Sequence, residues 1–180
     1  GVTGQLDLSP TEIQTISVAG GTLQLGSTGA TGDINLNAAL TNANVNAGTL
    51  RLLSGHDVNI TGGQSIGTTG VGNVFDHHLE LKANNSVTIT NGSNVFLADN
   101  RNLTVVADND NLGGGTVTIG NGNTVQIGTG GANLTGNMSV QGRDIFLGGT
   151  GGSVIVAGAG TQTFTAFGQI DISNTANSGV

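Results

Sequence analysis

The chain contains no cysteine, tryptophan or tyrosine, and only one of its 180 residues is proline. Without cysteine, the protein has no disulfides, no thiolate metal ligands and no thiol nucleophile. Aromatic residues amount to 3%, all of them phenylalanine. Sugar-binding grooves favour aromatic stacking surfaces, so this shortage argues against a carbohydrate-processing site.

Charged side chains are scarce as well, at 8% of the residues, against about 25% in typical domains. The formal net charge is -7, and the four basic residues are Arg51, Lys82, Arg101 and Arg143. Binding to nucleic acid requires a stripe of basic side chains that neutralises phosphates, and anionic membrane surfaces also attract basic segments. No apolar run approaches the roughly 18 residues of a membrane span. We therefore expect neither nucleic-acid binding nor membrane insertion.

Glycine and asparagine are abundant instead, with 33 and 21 residues, and 36% of the chain is hydrophobic. A glycine-rich chain of low charge can be disordered, but disorder also requires a shortage of apolar residues. Here the apolar residues are spread evenly and follow no 3.6-residue stripe, so the sequence predicts a folded chain built from strands.

Short apolar-x-apolar units recur between turn-forming residues, and each predicts one short strand with two side chains facing inward. The units are Leu23/Leu25, Ile34/Leu36, Leu50/Leu52, Val58/Ile60, Leu79/Leu81, Val87/Ile89, Val95/Leu97, Leu103/Val105, Val117/Ile119, Val125/Ile127, Ile145/Leu147, Val154/Val156 and Ile170/Ile172.

The spacing of these units favours a solenoid. Leu79, Val87, Val95 and Leu103 lie eight residues apart, which suits a short strand plus a turn, so three units make one 24-residue circuit. Two-residue Asn-Gly hairpin loops are few, although an up-and-down barrel or sandwich remains the competing fold. The sequence thus predicts an all-β fold, a right-handed parallel β-helix (β-solenoid) of roughly seven to nine coils, as a single segment over residues 1–180.

Glycine and asparagine fit the corners of such coils, since corners need residues that tolerate positive φ. Pairs such as Gly62-Gly63, Asn84-Asn85 and Asn91-Gly92 occur where strands are predicted to stop. We also expect asparagines stacked in register to form hydrogen-bonded ladders between coils.

The amino-terminal part resembles a known family. Residues 8–16 (LSPTEIQTI) precede residues 20–40 (GGTLQLGSTGATGDINLNAAL) and residues 48–66 (GTLRLLSGHDVNITGGQSI). These segments are similar to repeats of filamentous-haemagglutinin-like exoproteins, in which L-x-x-x-E-(L/I)-x-x-I precedes L-x-(I/L)-G-x-x-x-x-G-x-I-x-(L/V), and T-L-x-L precedes G-x-D-(I/V)-x-(I/L). The close match covers about a third of the chain.

The resemblance implies large bacterial proteins that are secreted or displayed on the cell surface, often by two-partner secretion, and that act in adhesion or biofilms. It implies as partners further coils of the same protein, end-to-end copies, and a host or neighbouring-cell surface. The chain departs from a complete member in lacking the amino-terminal secretion domain with its Asn-Pro motifs, because its one proline, Pro10, follows Ser9.

The most chemical-looking stretch is Asp76-His77-His78-Leu79-Glu80. In a strand, Asp76, His78 and Glu80 would share the outer face, but successive members lie about 7 Å apart, too far for one ion. We therefore expect a solvated polar face that binds no metal.

Other candidates also favour ordinary turns and surface pairs. His56-Asp57 has no neighbouring nucleophile, and the run from Asp108 to Asn111 lacks the glutamate that closes a calcium-binding loop. Whether calcium binds near Asp108 and Asp110 stays open from the sequence. We expect Arg101 with Asp99, and Arg143 with Asp144, to form surface pairs that contribute little.

The sequence therefore predicts no catalytic, cofactor-binding or metal-binding residue. Our leading hypothesis is a non-catalytic fibre or stalk segment of a secreted or surface-displayed adhesin. The alternative is a carbohydrate-binding or carbohydrate-cleaving β-helix of the phage-tailspike or polysaccharide-lyase type, which would cluster carboxylates with arginine on one groove.

Overall fold

A computed structural model describes residues 9–68, 74–120, 123–127, 136–148, 153–157 and 160–172, with the backbone alone for 123–127 and 153–157. Helix α1 spans Pro10–Gln14, and a 3₁₀ turn spans Asn42–Asn44. The strands are β1 Ser17–Ser27, β2 Ile34–Leu36, β3 Asn46–Ser54, β4 Val58–Ile60, β5 His78–Ala83, β6 Val87–Ile89, β7 Val95–Leu97, β8 Leu103–Val106, β9 Thr116–Gly120, β10 Asn123–Ile127, β11 Met138–Gly142, β12 Asp144–Gly148, β13 Ser153–Ala157, β14 Gln162–Ala166 and β15 Ile170–Asp171.

These strands form three sheets in which every pair is parallel. Sheet 1 has the order β1-β3-β5-β8-β11-β14, sheet 2 has β15-β12-β9-β6-β4-β2, and sheet 3 has β13-β10-β7. Successive strands along the chain belong to different sheets, so the backbone winds around a common axis. The predicted all-β solenoid is confirmed. No helix in the described part of the chain is long and apolar enough to cross a membrane.

The structure does not support the expected number of seven to nine coils. Neither long sheet exceeds six strands within the described ranges, and sheet 3 has three. The 24-residue circuit is confirmed where Leu79 pairs with Leu103, but 29 residues separate Leu50 from Leu79, and 35 separate Leu103 from Met138. Corner length explains the difference, because 107–115 connects β8 to β9 whereas only 84–86 connects β5 to β6. Longer corners consume chain that would otherwise form coils.

The inward side chains stack in columns, as the apolar units predict. One column of sheet 1 contains Leu23, Leu50, Leu79, Leu103 and Met138, all buried and paired in register. Equivalent columns contain Val58, Val87, Val117 and Ile145, then Ile60, Ile89, Ile119 and Leu147. Leu40, Ile66 and Val95 form a column on the third side through isolated parallel bridges. All belong to one continuous hydrophobic cluster.

Four predicted strand units depart from this pattern. Leu25 and the pair Ile34/Leu36 are only partly buried, because β1 and β2 are the outermost strands of their sheets in the described region. Ile170 and Ile172, predicted to face inward, are 47% and 54% exposed, since β15 lies at the opposite edge of sheet 2.

The fourth unit, Val154/Val156, is shifted by one residue from the register that the sequence predicts. Val154 pairs with Thr124, and Ile155 pairs with Val125. Only the backbone of β10 and β13 is described, so the burial of their side chains is not assigned. The backbone register aligns Ile155, and not Val154 or Val156, with Val125 and Val95. Three consecutive apolar residues left the phase of this strand ambiguous in the sequence.

A short helix precedes the first strand. Ser9 and Glu12 form a capping box around α1, with the Glu12 amide donating to Ser9 Oγ and the Ser9 amide donating to Glu12 Oε2. Ile13 is 4% exposed and belongs to the core cluster. The helix therefore packs Ile13 against the hydrophobic core at this end of the described chain.

The predicted left-handed corners are confirmed at Gly62-Gly63 and Asn91-Gly92, but Asn84-Asn85 does not adopt positive φ. Asn91, Asn100, Asp108 and Asn111 have φ between 57° and 62°. This region favours glycine and asparagine over other residues, which explains the choice of residue at these corners.

Candidate functional site

Side-chain oxygens at the corners accept hydrogen bonds from backbone amides of the next coil. Asn102 Oδ1 accepts from the Asn137 amide at 3.0 Å, and Asn137 Oδ1 accepts from the Thr161 amide at 2.9 Å. On sheet 2, Asn59 Nδ2 donates to Asn35 Oδ1 at 3.0 Å. Asparagine side chains thus connect successive coils as expected, although the side-chain pair of Asn35 with Asn59 does not extend into a longer ladder.

The outer face of sheet 1 carries an ion-pair network. Arg51 Nε lies 2.7 Å from Glu80 Oε2, Lys82 Nζ lies 2.9 Å from the same oxygen, and Arg51 also donates to Gln24 Oε1. The hydrogen bond from Arg51 lowers the pKa of Glu80, partial burial opposes this, and Lys82 adds to the lowering. Gln24, Arg51 and Glu80 occupy one register position on three successive strands, so the network connects three coils.

Arg101 pairs with a different carboxylate from the one expected. Its Nε lies 2.7 Å from Asp76 Oδ1, on the preceding coil and not at Asp99, because coil stacking brings distant residues closer than sequence neighbours. Arg143 Nε does lie near Asp144, at 3.8 Å, and its guanidinium also donates to the Gly113 carbonyl at 3.3 Å.

The Asp76, His78 and Glu80 side chains are used separately. Asp76 pairs with Arg101, Glu80 with Arg51 and Lys82, and His78 Nδ1 accepts from the Asn102 amide at 2.9 Å. Strand β5 begins at His78, so Asp76 precedes it. The three do not form a metal-binding group in the structure.

The acidic run after β8 forms a turn. Asp108 is buried with φ of 60°, and its Oδ1 accepts from the Gly113 amide at 2.8 Å. Asp110 Oδ1 accepts from the Leu112 amide at 3.2 Å. Both carboxylates therefore stabilise the local turn conformation.

Coil stacking creates one cluster that the sequence did not reveal. His56 Nδ1 lies 2.5 Å from Asp33 Oδ1 and 3.2 Å from Asp57 Oδ2. The hydrogen bond to Asp33, followed by the charge of Asp57, raises the pKa of His56. Among the described residues, this is the one group of three potential metal-ligating side chains whose ligand atoms all lie within 4.8 Å of one another.

Comparison with protein-family models, with curated proteins and with solved structures finds no match.

Sequence reasoning found His56-Asp57 but missed Asp33, which lies 24 residues before Asp57. Ile34 pairs with Val58, so the residues that immediately precede them occupy equivalent corners on successive coils. The Asp-(I/V)-x-(I/L) pattern at residues 33–36 and 57–60 is the signal that could have aligned the two carboxylates.

Proposed function

We propose that this chain is a structural fibre or stalk segment of a secreted or surface-displayed bacterial adhesin-like protein. The observation that carries the proposal is the unbroken stacking of apolar columns from Leu23 to Met138. Such stacking makes each coil depend mainly on its neighbours, which suits an elongated element that can be extended by adding coils.

The use of the charged residues supports the same function. Each of the four basic side chains contacts a carboxylate within 4 Å, and two of the contacts, Arg51 with Glu80 and Arg101 with Asp76, join different coils. These side chains thus reinforce the stack. In the alternative, a carbohydrate-cleaving groove, they would converge on one substrate site. Two of the phenylalanines that such a groove would need for stacking, Phe75 and Phe96, are buried.

The proposal extends to handedness, partners and location. We expect right-handed coils, because parallel strand connections are overwhelmingly of that hand. Among the described strands, β14 lies at the edge of sheet 1, and Phe167, Ile170 and Ile172 near it are exposed. Such an apolar edge is suited to further coils or to a second copy. Adhesion or biofilm support at the bacterial surface would follow from display on such a stalk.

Light scattering on the 180-residue chain tests the proposal. We expect mass to grow with concentration, and to grow less in a Phe167→Glu/Ile170→Lys variant. Leu112→Glu is the matched control, because Leu112 is 85% exposed but lies in the 107–115 corner. A chain that stays monomeric at high concentration, or a control that abolishes growth equally, would contradict end-to-end stacking.

A further inference from the structure

The carboxylates of Asp33 and Asp57 occupy equivalent positions on successive coils, where the chain passes from sheet 1 to sheet 2. Asp33 immediately precedes β2, Asp57 immediately precedes β4, and these strands pair in register. Adjacent parallel strands lie about 4.8 Å apart, and like charges directly opposite each other destabilise a sheet. Positive charge nearby would relieve this repulsion.

His56 supplies that charge only in part. Within the described residues, it is the one ion-pair partner of Asp33 and Asp57, and both carboxylates approach the same nitrogen, Nδ1. One imidazole cannot carry as much charge as two carboxylates, so the cluster keeps a net negative charge. A divalent cation bound to neutral imidazole and two carboxylates would balance the charge.

We propose that Asp33, His56 and Asp57 bind a divalent transition metal ion of the zinc class, through His56 Nδ1 and one oxygen from each carboxylate. Metal–nitrogen and metal–oxygen distances near 2.1 Å place tetrahedral ligand atoms about 3.4 Å apart. The three atoms already lie within 4.8 Å of one another. Asp33 Oδ1 lies only 2.5 Å from His56 Nδ1, so the exposed Asp33 side chain would move away from the imidazole to admit the ion.

Neighbouring groups hold two of the ligands in place. Asp57 Oδ1 accepts from Asn85 Nδ2 at 2.8 Å and from the Ser86 amide at 2.9 Å, which leaves Oδ2 turned toward His56. The His56 amide donates to the buried Ser54 Oγ, and this hydroxyl donates to the Gly32 carbonyl, both at 2.9 Å. Such outer hydrogen bonds orient metal ligands and strengthen binding.

The donor set selects the class of ion. Imidazole nitrogen suits zinc, copper and nickel, whereas calcium and magnesium take oxygen ligands. Because Asp33 comes from one coil and His56 and Asp57 from the next, a bound ion would connect the two coils at their corner. The inference does not depend on the fibre function, since it concerns this cluster alone.

Calorimetric titration of the full chain with Zn²⁺ is the test, with Ca²⁺ as the comparison ion. We expect one saturable zinc site, zinc-dependent elevation of the melting temperature, and affinity reduced at least about 10-fold in Asp33→Asn and in His56→Gln. His78→Gln and Asp76→Asn are the matched controls, and both should retain wild-type affinity. Circular dichroism checks that each variant is folded, and nitrogen chemical shifts of the imidazoles should show Nδ1 of His56 bound to zinc.

Three results would overturn the proposal. One is a chain that gives no saturable zinc binding. Another is zinc affinity unchanged by both Asp33→Asn and His56→Gln, or lost in the His78→Gln control. The third is calcium bound as tightly as zinc, because calcium would not use the imidazole and the ion-pair cluster would then be a purely structural contact.

Discussion

At the residue scale, Gly67 shows how close coil stacking restricts the choice of side chain. Its φ is +70°, and an added Cβ would clash with the Phe96 carbonyl oxygen of the next coil. Gly92 has a similar φ of +77° but nothing within 4 Å of the position of a Cβ. A side chain at Gly92 would therefore cause backbone strain alone, whereas a side chain at Gly67 would cause both backbone strain and a steric clash.

We predict that Gly67→Ala lowers the free energy of unfolding clearly more than Gly92→Ala. Both variants incur the cost of a left-handed alanine, about 1–2 kcal/mol, but only Gly67→Ala adds a clash with backbone. Urea denaturation midpoints of the two variants give the comparison. Equal losses would mean that the corner at Gly67 relaxes without cost.

Glu80 carries a pH-dependent contribution to stability. Its pKa is lowered from the model-compound value of 4.5, chiefly by the hydrogen bond from Arg51. The unfolded chain therefore binds this proton more readily, so the contribution is present above the unfolded-state pKa and is lost as the pH falls through the folded-state pKa.

We predict that Glu80→Gln lowers stability at pH 7 by roughly 0.2–1 kcal/mol, because the pair with Arg51 is partly exposed. The difference from wild type should shrink as the pH falls through and below 4.5. Denaturant titrations at several pH values measure it, and a difference that stays constant down to strongly acidic pH would exclude the ion pair as its source.

At the scale of single elements, alternation along the short strands determines which side chains form the core. In β9, Ile119 is fully buried while Thr118 is partly exposed on the outer face. Strand identity and most inward positions could be read from this alternation in the sequence. The phase of β13 could not, because Val154, Ile155 and Val156 are all apolar.

Ile119→Asp should unfold the chain or cost several kcal/mol, since it buries an unpaired charge in the column with Ile89 and Leu147. Thr118→Asp is the matched control on the opposite face, and it should change stability by less than about 1 kcal/mol. Thermal unfolding followed by circular dichroism distinguishes them. Comparable losses in both variants would contradict the register of β9.

At the scale of the whole molecule, the solenoid class follows from repeated units, whereas coil number and long-range pairs do not. Corners between sheets 1 and 2 vary from the single residue 143 to the nine residues of 107–115, so a single 24-residue circuit could not be extrapolated. The same variation hides which residues meet between coils. It separates Asp33 from His56 by 23 positions but Asp76 from Arg101 by 25. Side-chain pairs across coils thus depend on corner lengths, which only a repeated motif such as the one at residues 33–36 and 57–60 can reveal.

The circuit from Leu79 to Asn102 offers a test of this architecture, because Leu79 pairs both with Leu50 and with Leu103. Deleting residues 79–102 removes one whole turn and brings Leu103 into register with Leu50. We expect a folded, soluble chain with β-rich circular dichroism, reduced stability, and a rod shorter by about 4.8 Å. Deleting only residues 79–90 removes half a turn and places the polar turn 91–94 where sheet 1 requires the start of β5, so every later column loses register. That variant should aggregate or remain unfolded. Small-angle scattering and circular dichroism decide between these outcomes. Two deletions with the same behaviour, both folded or both unfolded, would show that stacked turns are not the unit of stability in this chain.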